Sequence, residues 1–414
     1  MKRTHSGSVR RAGFTLVELM IALIAGAFAV TGVYYLNGVS SRSFSEQMRV
    51  SETQMSLRSA MEQLRRDFTR AGYLAAPNTD VAPGCGGAAG AGGQVSDRPM
   101  RALAVVYDGS NTTPSGVSPL LGAPATNATR VDLLDTWANY ATADAYLVDP
   151  TTTTGTTIAF QAASESFRRS FYRPKAGNAA AEWDAARFRQ VFAIGRMVRV
   201  EHNGRFFFRD IVGPVNATEN SPSITISAMP NCFEPTAWSA VSPLVHYRYA
   251  VEADTAAEMG RLKAPAANKL LGSRRTMLVR REIRDQTSTT APEDNTSHLV
   301  LDYAVEFSVD AVINNATALL VDRPVFEFRR NGEVTTQSTN APERFRSLLV
   351  TLTARSAEAD PRLPGMPRAT FNSAEAFNSP LMMFRVLDPA NPSPTVMMNA
   401  RVRTLRSEIF LQNM

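Results

Sequence analysis

The chain has 414 residues, 44% hydrophobic and 20% charged, the balance of a globular protein with room for one large domain or two ordinary ones. Four of its 44 Lys and Arg fall in the first 13 positions (Lys2, Arg3, Arg10 and Arg11), which leaves 40 basic against 38 acidic residues in the rest. That near-neutral remainder gives no basis for a nucleic-acid footprint, despite the formal charge of +6.

The first element is a helix. From Ala12 to Ser41 the only charged side chain is Glu18, so the run is long and apolar enough to cross a bilayer. A carboxylate in such a run costs about 2.5–3.5 kcal/mol and calls for a reason. Apolar character all round excludes a helix lying on a membrane surface. The basic residues ahead of it fit a leader that stays cytoplasmic while the rest is exported. Beyond the run, Phe44, Met48, Met55, Leu57, Met61, Leu64 and Phe68 recur at helical spacings, with Arg49, Glu52, Arg58, Glu62, Arg65 and Asp67 mostly between them. This stripe reads as core. No proline interrupts Phe14 to Tyr73, which predicts one helix of ~60 residues and ~90 Å. Gly26, Gly32 and Gly38 each weaken it by ~1 kcal/mol and mark where it is expected to bend or melt. It should stop near Gly72, before Ala76-Pro77.

Residues 77–125 are rich in Gly, Ala, Pro, Ser and Thr. The glycine tract around Cys85 lacks a Gly-Lys-Ser/Thr ending, so it reads as a loop and not a phosphate cradle. Strands are expected at Ala102–Tyr107 and Arg130–Leu134, and a turn at Thr151–Thr157. Val191–Val200 and Arg205–Val212 read as a hairpin about Asn203-Gly204. Further strands are expected at Ile224–Ile226, Val245–Glu252, Thr276–Ile283, Leu299–Val312, Ser347–Arg355 and Arg401–Arg406. A long helix followed by strands predicts an α+β fold, the helix packed on an antiparallel sheet head with long loop insertions.

Arg10-Arg11-Ala12-Gly13-Phe14-Thr15-Leu16-Val17-Glu18-Leu19 resembles the prepilin leader of type IV pilins and type II secretion pseudopilins. The resemblance implies that prepilin peptidase cuts after Gly13 and methylates the new amino terminus at Phe14. Glu18 then meets the Phe14 amine of a neighbouring subunit, so two buried charges neutralise each other and set the register. Two other readings stand beside it: an uncleaved membrane anchor, and a secretory signal cut after Ala25-Gly26-Ala27. Further on, Leu64-Arg65-Arg66-Asp67-Phe68-Thr69-Arg70-Ala71-Gly72-Tyr73, with Gly84-Cys85 beyond, is similar to the helix exit of PilW-type minor pilins, although a Pro- and Gly-rich spacer intervenes.

That likeness implies a type IV pilus priming or tip subunit, first in the bacterial inner membrane as a single-pass protein and then at the cell surface. Its implied partners are other minor pilins and the major pilin through the N-terminal helix, prepilin peptidase, and a tip adhesin. The implied organisation is a leader (1–13), a filament-core helix (14–36), an amphipathic continuation (37–75), a loop-rich β region with an inserted subdomain (76–240) and a C-terminal sheet region (241–414). In an exported protein Cys85 and Cys232 have one available pairing, worth about 4–5 kcal/mol on the chain-entropy argument; two independent thiols are the alternative. The J-type pseudopilin, and an adhesin or DNA-binding head on a pilin stem, are the competing functions.

No chemistry emerges elsewhere. His202, His246 and His298 have no second His or Cys at metal-ligand spacing, and no nucleophile elbow, Walker sequence or zinc-protease helix is present. No enzyme, cofactor, metal or nucleic-acid partner is therefore expected. Aromatic and basic residues coincide at Phe167–Lys175 and Arg205–Arg209, and both stretches read first as strands with solvated outer faces.

Overall fold

The computed structural model describes residues 16–75, 100–107, 132–140, 145–173, 181–230, 239–253, 276–284, 297–314, 326–330, 332–356, 366–367, 383–387 and 396–413, with single positions at 79, 96, 97, 233, 234 and 236. It divides into two compact units, Met1–Gln54 and Met55–Met414. In the first, every described residue is helical, and the described side chains from Leu16 to Ser41 are all exposed. The helix, α1 (Leu16–Thr69), runs unbroken through Gly26, Gly32 and Gly38, so the expected melting at these glycines is not found. A glycine costs about 1 kcal/mol here but removes no hydrogen bond from the ladder, and the Thr31 hydroxyl adds one to Ala27 O at 2.8 Å.

The second unit holds the rest. Its elements are β1 (Leu103–Val106), β2 (Leu133–Asn139), β3 (Tyr146–Leu147), β4 (Thr157–Ala159), α2 (Glu165–Phe171), β5 (Tyr172–Arg173), β6 (Glu182–Trp183), α3 (Ala185–Val191), β7 (Met197–His202), β8 (Arg205–Asn216) and β9 (Ser223–Ile226). After these come β10 (Ala240–Ala253), β11 (Thr276–Glu282), β12 (His298–Asp302), β13 (Ala304–Asn314), β14 (Phe326–Arg329), α4 (Gly332–Asn340), β15 (Phe345–Arg355), β16 (Met366–Pro367), β17 (Met383–Leu387) and β18 (Val396–Phe410). This is the expected α+β architecture, an apolar N-terminal helix followed by a head of antiparallel sheet.

β10 is the spine of a ten-stranded sheet. Ala240 pairs with both Leu147 and Glu201, so β3 and β7 flank its first half; Tyr247 pairs with both Thr136 and Glu282, so β2 and β11 flank its second. A second, six-stranded sheet runs in the order β14-β13-β15-β18-β16, with β17 also on β18. Position 240 therefore opens a strand shared by the chain before and after it.

The main core takes Leu57, Ala60, Met61, Leu64 and Phe68 of α1 against apolar faces of both sheets, such as Leu134, Tyr249 and Leu278 in one and Phe307, Val350 and Ile409 in the other. The helical stripe is thus core only from Leu57 onward. Phe44, Met48 and Met55, expected inside, are 64%, 58% and 73% exposed. A second core gathers Tyr146, Phe160, Phe167, Phe171, Phe188 and Phe192 around Val198 and Val241. There Tyr146 meets four phenylalanine rings at centroid separations between 5.2 and 6.3 Å.

Several elements depart from expectation. Residues 191–196 are not strand: α3 starts at Asp184, whose carboxylate accepts from Arg187 N at 2.9 Å, and it turns Phe188 and Val191 into the second core. The run Leu299–Val312 is broken at Tyr303, which takes a left-handed φ of 53° between β12 and β13. The hairpin of β7 and β8 forms as expected, with Asn203 at φ 50° and Gly204 at φ 73°. The open edge of β1 is closed by side chains of α4: Ser338 Oγ accepts from Val105 N at 3.2 Å, and Thr335 Oγ1 from Tyr107 N at 2.8 Å.

On the outer face of the large sheet, Asp135 receives both Arg248 Nε and Nη2 at 2.8 Å, and His246 Nε2 lies 3.5 Å away. Burial pushes the Asp135 carboxyl up, but the Arg248 hydrogen bonds, with His246 close by, outweigh it and hold the group at about 2. A lowered pKa gives stability that is whole above the unfolded value near 4 and is lost as pH falls toward 2. The difference is worth about 2 kcal/mol. Between pH 5 and 2 the thermal midpoint of Asp135→Asn should accordingly fall less than that of the parent; equal slopes for the two would refute the assignment.

Candidate assembly helix

Leu16–Leu36 of α1 spans about 30 Å at 1.5 Å per residue, the thickness of a bilayer's hydrocarbon core. Leu16, Leu19, Ile21, Leu23, Phe28 and Val33 each expose more than half of their surface, and no described side chain in this stretch is buried. Helix α1 is long and apolar enough to cross a membrane by length and composition, with Glu18 in its first turn as the one acid of that stretch. A single subunit leaves the whole circumference available to hydrocarbon or to other helices. Gly13 and Phe14, and both Cys85 and Cys232, lie outside the described residues.

The other end of α1 shows what its exit residues do. Leu64, Phe68 and Ala71 are fully buried, and Phe68 meets Tyr249 edge-on at 5.3 Å. Asp67 Oδ2 accepts from Arg280 Nη1 at 2.7 Å and from the Tyr249 hydroxyl. Burial, and then the Asp67 charge, push the Tyr249 phenol well above its usual range, so it stays a donor. Gly72 takes a φ of 77° and donates its N–H to Trp137 O at 2.8 Å, while Arg70 Nη2 donates to Asn139 O at 3.1 Å. Asn413 Nδ2 reaches Thr69 O at 2.9 Å. Residues 64–73 are thus a joint that ties α1 to β2, β10 and β11 and to the chain after β18.

The histidines are dispersed. His202 Nδ1 pairs with Ser239 Oγ at 3.1 Å, His246 stacks on Trp137 at 4.4 Å, and His298 opens β12 in solvent. Among the described residues no group of three or more His, Cys, Asp or Glu side chains could hold a metal ion. In the Phe167–Lys175 stretch, Phe167 and Phe171 are fully buried, so they offer bases no stacking platform. A buried ion pair that the sequence does not disclose joins Arg196, just before β7, to Glu282 of β11. Arg196, 3% exposed, donates from Nε to Glu282 Oε1 at 2.8 Å and from Nη1 to Gln190 O at 2.6 Å, and its guanidinium lies 4.0 Å from the Tyr140 ring centroid.

A model of the prokaryotic N-terminal methylation motif matches residues 9–34. No curated protein and no solved structure matches the chain. The motif supports a type IV pilin-like protein, of pilin or pseudopilin type, and implies processing by prepilin peptidase and assembly with other pilins. Pilin-like proteins carrying this motif are structural rather than catalytic. With the apolar helix, it fits anchoring in the inner membrane before assembly.

Proposed function

We propose that the chain is a PilW-type minor pilin that takes part in priming the type IV pilus and sits at or near its tip. The observation that carries this reading is the methylation motif on an apolar helix with one acid, Glu18, in its first turn. Prepilin peptidase cuts after Gly13 and methylates Phe14. The helix then leaves the inner membrane sideways into the filament, where Glu18 neutralises the Phe14 amine of a neighbour. The head stays outside the cytoplasm. The second unit runs from Met55 to Met414, and a head of that size fits a rare position better than a repeating shaft, where room would be needed at every subunit. The joint at residues 64–73 supports the PilW likeness, since Leu64, Asp67, Phe68, Arg70 and Gly72 of that motif each make a contact that fixes the end of the helix. Cys85 and Cys232 form a disulfide in the exported head.

The mature N-terminus, read by mass spectrometry of the membrane fraction, tests this directly. N-methylated Phe14 is expected. A terminus at Phe28 would make the chain an ordinary secreted protein, and an intact Met1 a simple anchor; either result overturns the proposal. Co-isolation of the chain with secretion components, and not with pilus subunits, would replace the minor pilin by the J-type pseudopilin.

A further inference from the structure

β1 ends the strand order of the large sheet, and among the described residues its outer side faces α4 where a strand would otherwise pair. Val105 N donates to Ser338 Oγ at 3.2 Å and Tyr107 N to Thr335 Oγ1 at 2.8 Å. Ser338 Oγ also stands 3.3 Å from Val105 O. Backbone groups that a neighbouring strand would take are thus held by two hydroxyls of one helix. Alternation turns the amides of Ala104 and Val106 the other way, toward β2, where these residues oppose Asp135 and Leu133.

This cover is weakly built. Gly332, Thr335, Thr336, Ser338, Thr339 and Asn340 are all poor helix formers, and at 9 residues α4 is shorter than a helix that holds by itself. The hydroxyls of Thr336 and Thr339 bond back to Gly332 O and Thr335 O, each at 3.0 Å, which loosens a helix more than it supports one. Its buried residues are Val334, in the main core, and Ser338. Lifting α4 would uncover the edge of β1 and leave the β1–β2 ladder intact, since that ladder runs on the opposite side of the strand. We infer that α4 is a releasable strap: seated, it keeps the edge of β1 from pairing, and lifted, it lets β1 pair with β1 of a second copy. Every anchored copy carries the same edge, and an anchor in one membrane holds the heads at high effective concentration, where a pairing of two short strands can persist. Such a contact is isologous, with the same patch on both copies. The pairing step rests on the reading of α1 as a membrane anchor.

Hydrogen exchange on the full chain in detergent tests the strap. The amides of Val105 and Tyr107 should exchange through a local opening, about a hundredfold faster than those of Ala104 and Val106 on the same strand. Equal protection on the two sides of β1 would mean that α4 leaves only when the sheet unfolds, and overturns the inference. Thr336→Pro then breaks the ladder of α4 at an exposed position and leaves Val334, Thr335 and Ser338 in place. In membranes, a photoreactive residue at Val106, which is 51% exposed, should cross-link to a second copy about tenfold more in Thr336→Pro than in the parent. If Thr336→Pro does not fold, Thr335→Val/Ser338→Ala, which removes only the two edge hydroxyls, carries the same test. No gain in self-cross-linking by a variant whose Val105 amide has lost its protection overturns the pairing. The exchange contrast is independent of the anchor, so its failure strikes the strap alone. Recovery of the parent in the soluble fraction strikes the anchor, and the pairing with it.

Discussion

Glu18→Ala should be processed and membrane-inserted like the parent, yet enter filaments about a hundredfold less well. In the proposed assembly the carboxylate is the counter-charge of a neighbour's amine inside an apolar helix bundle. Removing it leaves an ammonium group in hydrocarbon, at a cost of about 2.5–3.5 kcal/mol. At 1.4 kcal/mol per factor of ten, that is about two orders of magnitude at each subunit contact. The substitution itself favours insertion, since it deletes the one acid of the Leu16–Leu36 stretch, and alanine is the best helix former. Membrane level and assembly should therefore move apart, which a folding defect would not produce. Glu18→Gln keeps a hydrogen-bond acceptor without charge and should fall between the two. The measurement is quantitative detection of the chain in sheared filaments and in membranes from the same cells, and equal filament fractions for parent and Glu18→Ala would refute the charge pair.

What the sequence shows of this molecule depends on how local each cause is. The long helix was legible because the absence of charge from Ala12 to Ser41, bar Glu18, and the spacing of Leu57, Met61, Leu64 and Phe68 are properties of neighbouring turns. The β7–β8 turn was legible because Asn203-Gly204 meets a local demand for positive φ. The buried extent of the stripe was not, since nothing within the helix distinguishes exposed Met55 from buried Met61. The short helices escaped as well. The end of α3 was read as a strand start because Val191 opens the apolar run Val191-Phe192-Ala193-Ile194, and only Asp184 three residues before Arg187 signalled a cap. α4 is Gly-Glu-Val-Thr-Thr-Gln-Ser-Thr-Asn, a poor helix former held by its contacts with β1. β10 passes through Pro243, which composition alone reads as a stop; its carbonyl accepts from Tyr140 N at 2.9 Å. Of the candidate site, Glu18 was legible as the one acid of an apolar run, and the counter-charge proposed for it lies on another subunit, beyond what one sequence can show.

The largest effect on stability should come from Glu282→Leu, at about 3 kcal/mol. Arg196 and Glu282 are 86 positions apart, and both are nearly inaccessible, at 3% and 9% exposure. Taking Glu282 away leaves a buried guanidinium without its counter-charge. Its remaining support is the carbonyls of Gln190 and Val191 and the face of Tyr140. These soften the penalty and place it at the low end of the range for a broken buried pair. The converse change, Arg196→Met, should cost less. Glu282 retains Arg284 Nε at 3.2 Å, and Arg284 is 29% exposed, so the carboxylate keeps a counter-ion with access to water. The main loss is then the cap on the end of α3, a charge-assisted hydrogen-bonding term of about 1.5 kcal/mol. With both changes made, no charge is stranded, and the interface can close over apolar side chains. Arg196→Met/Glu282→Leu should therefore regain about 2 kcal/mol relative to Glu282→Leu alone. Denaturant titration of the four full-length proteins in detergent gives the coupling. Additive losses in the double variant would mean that the two residues contribute separately.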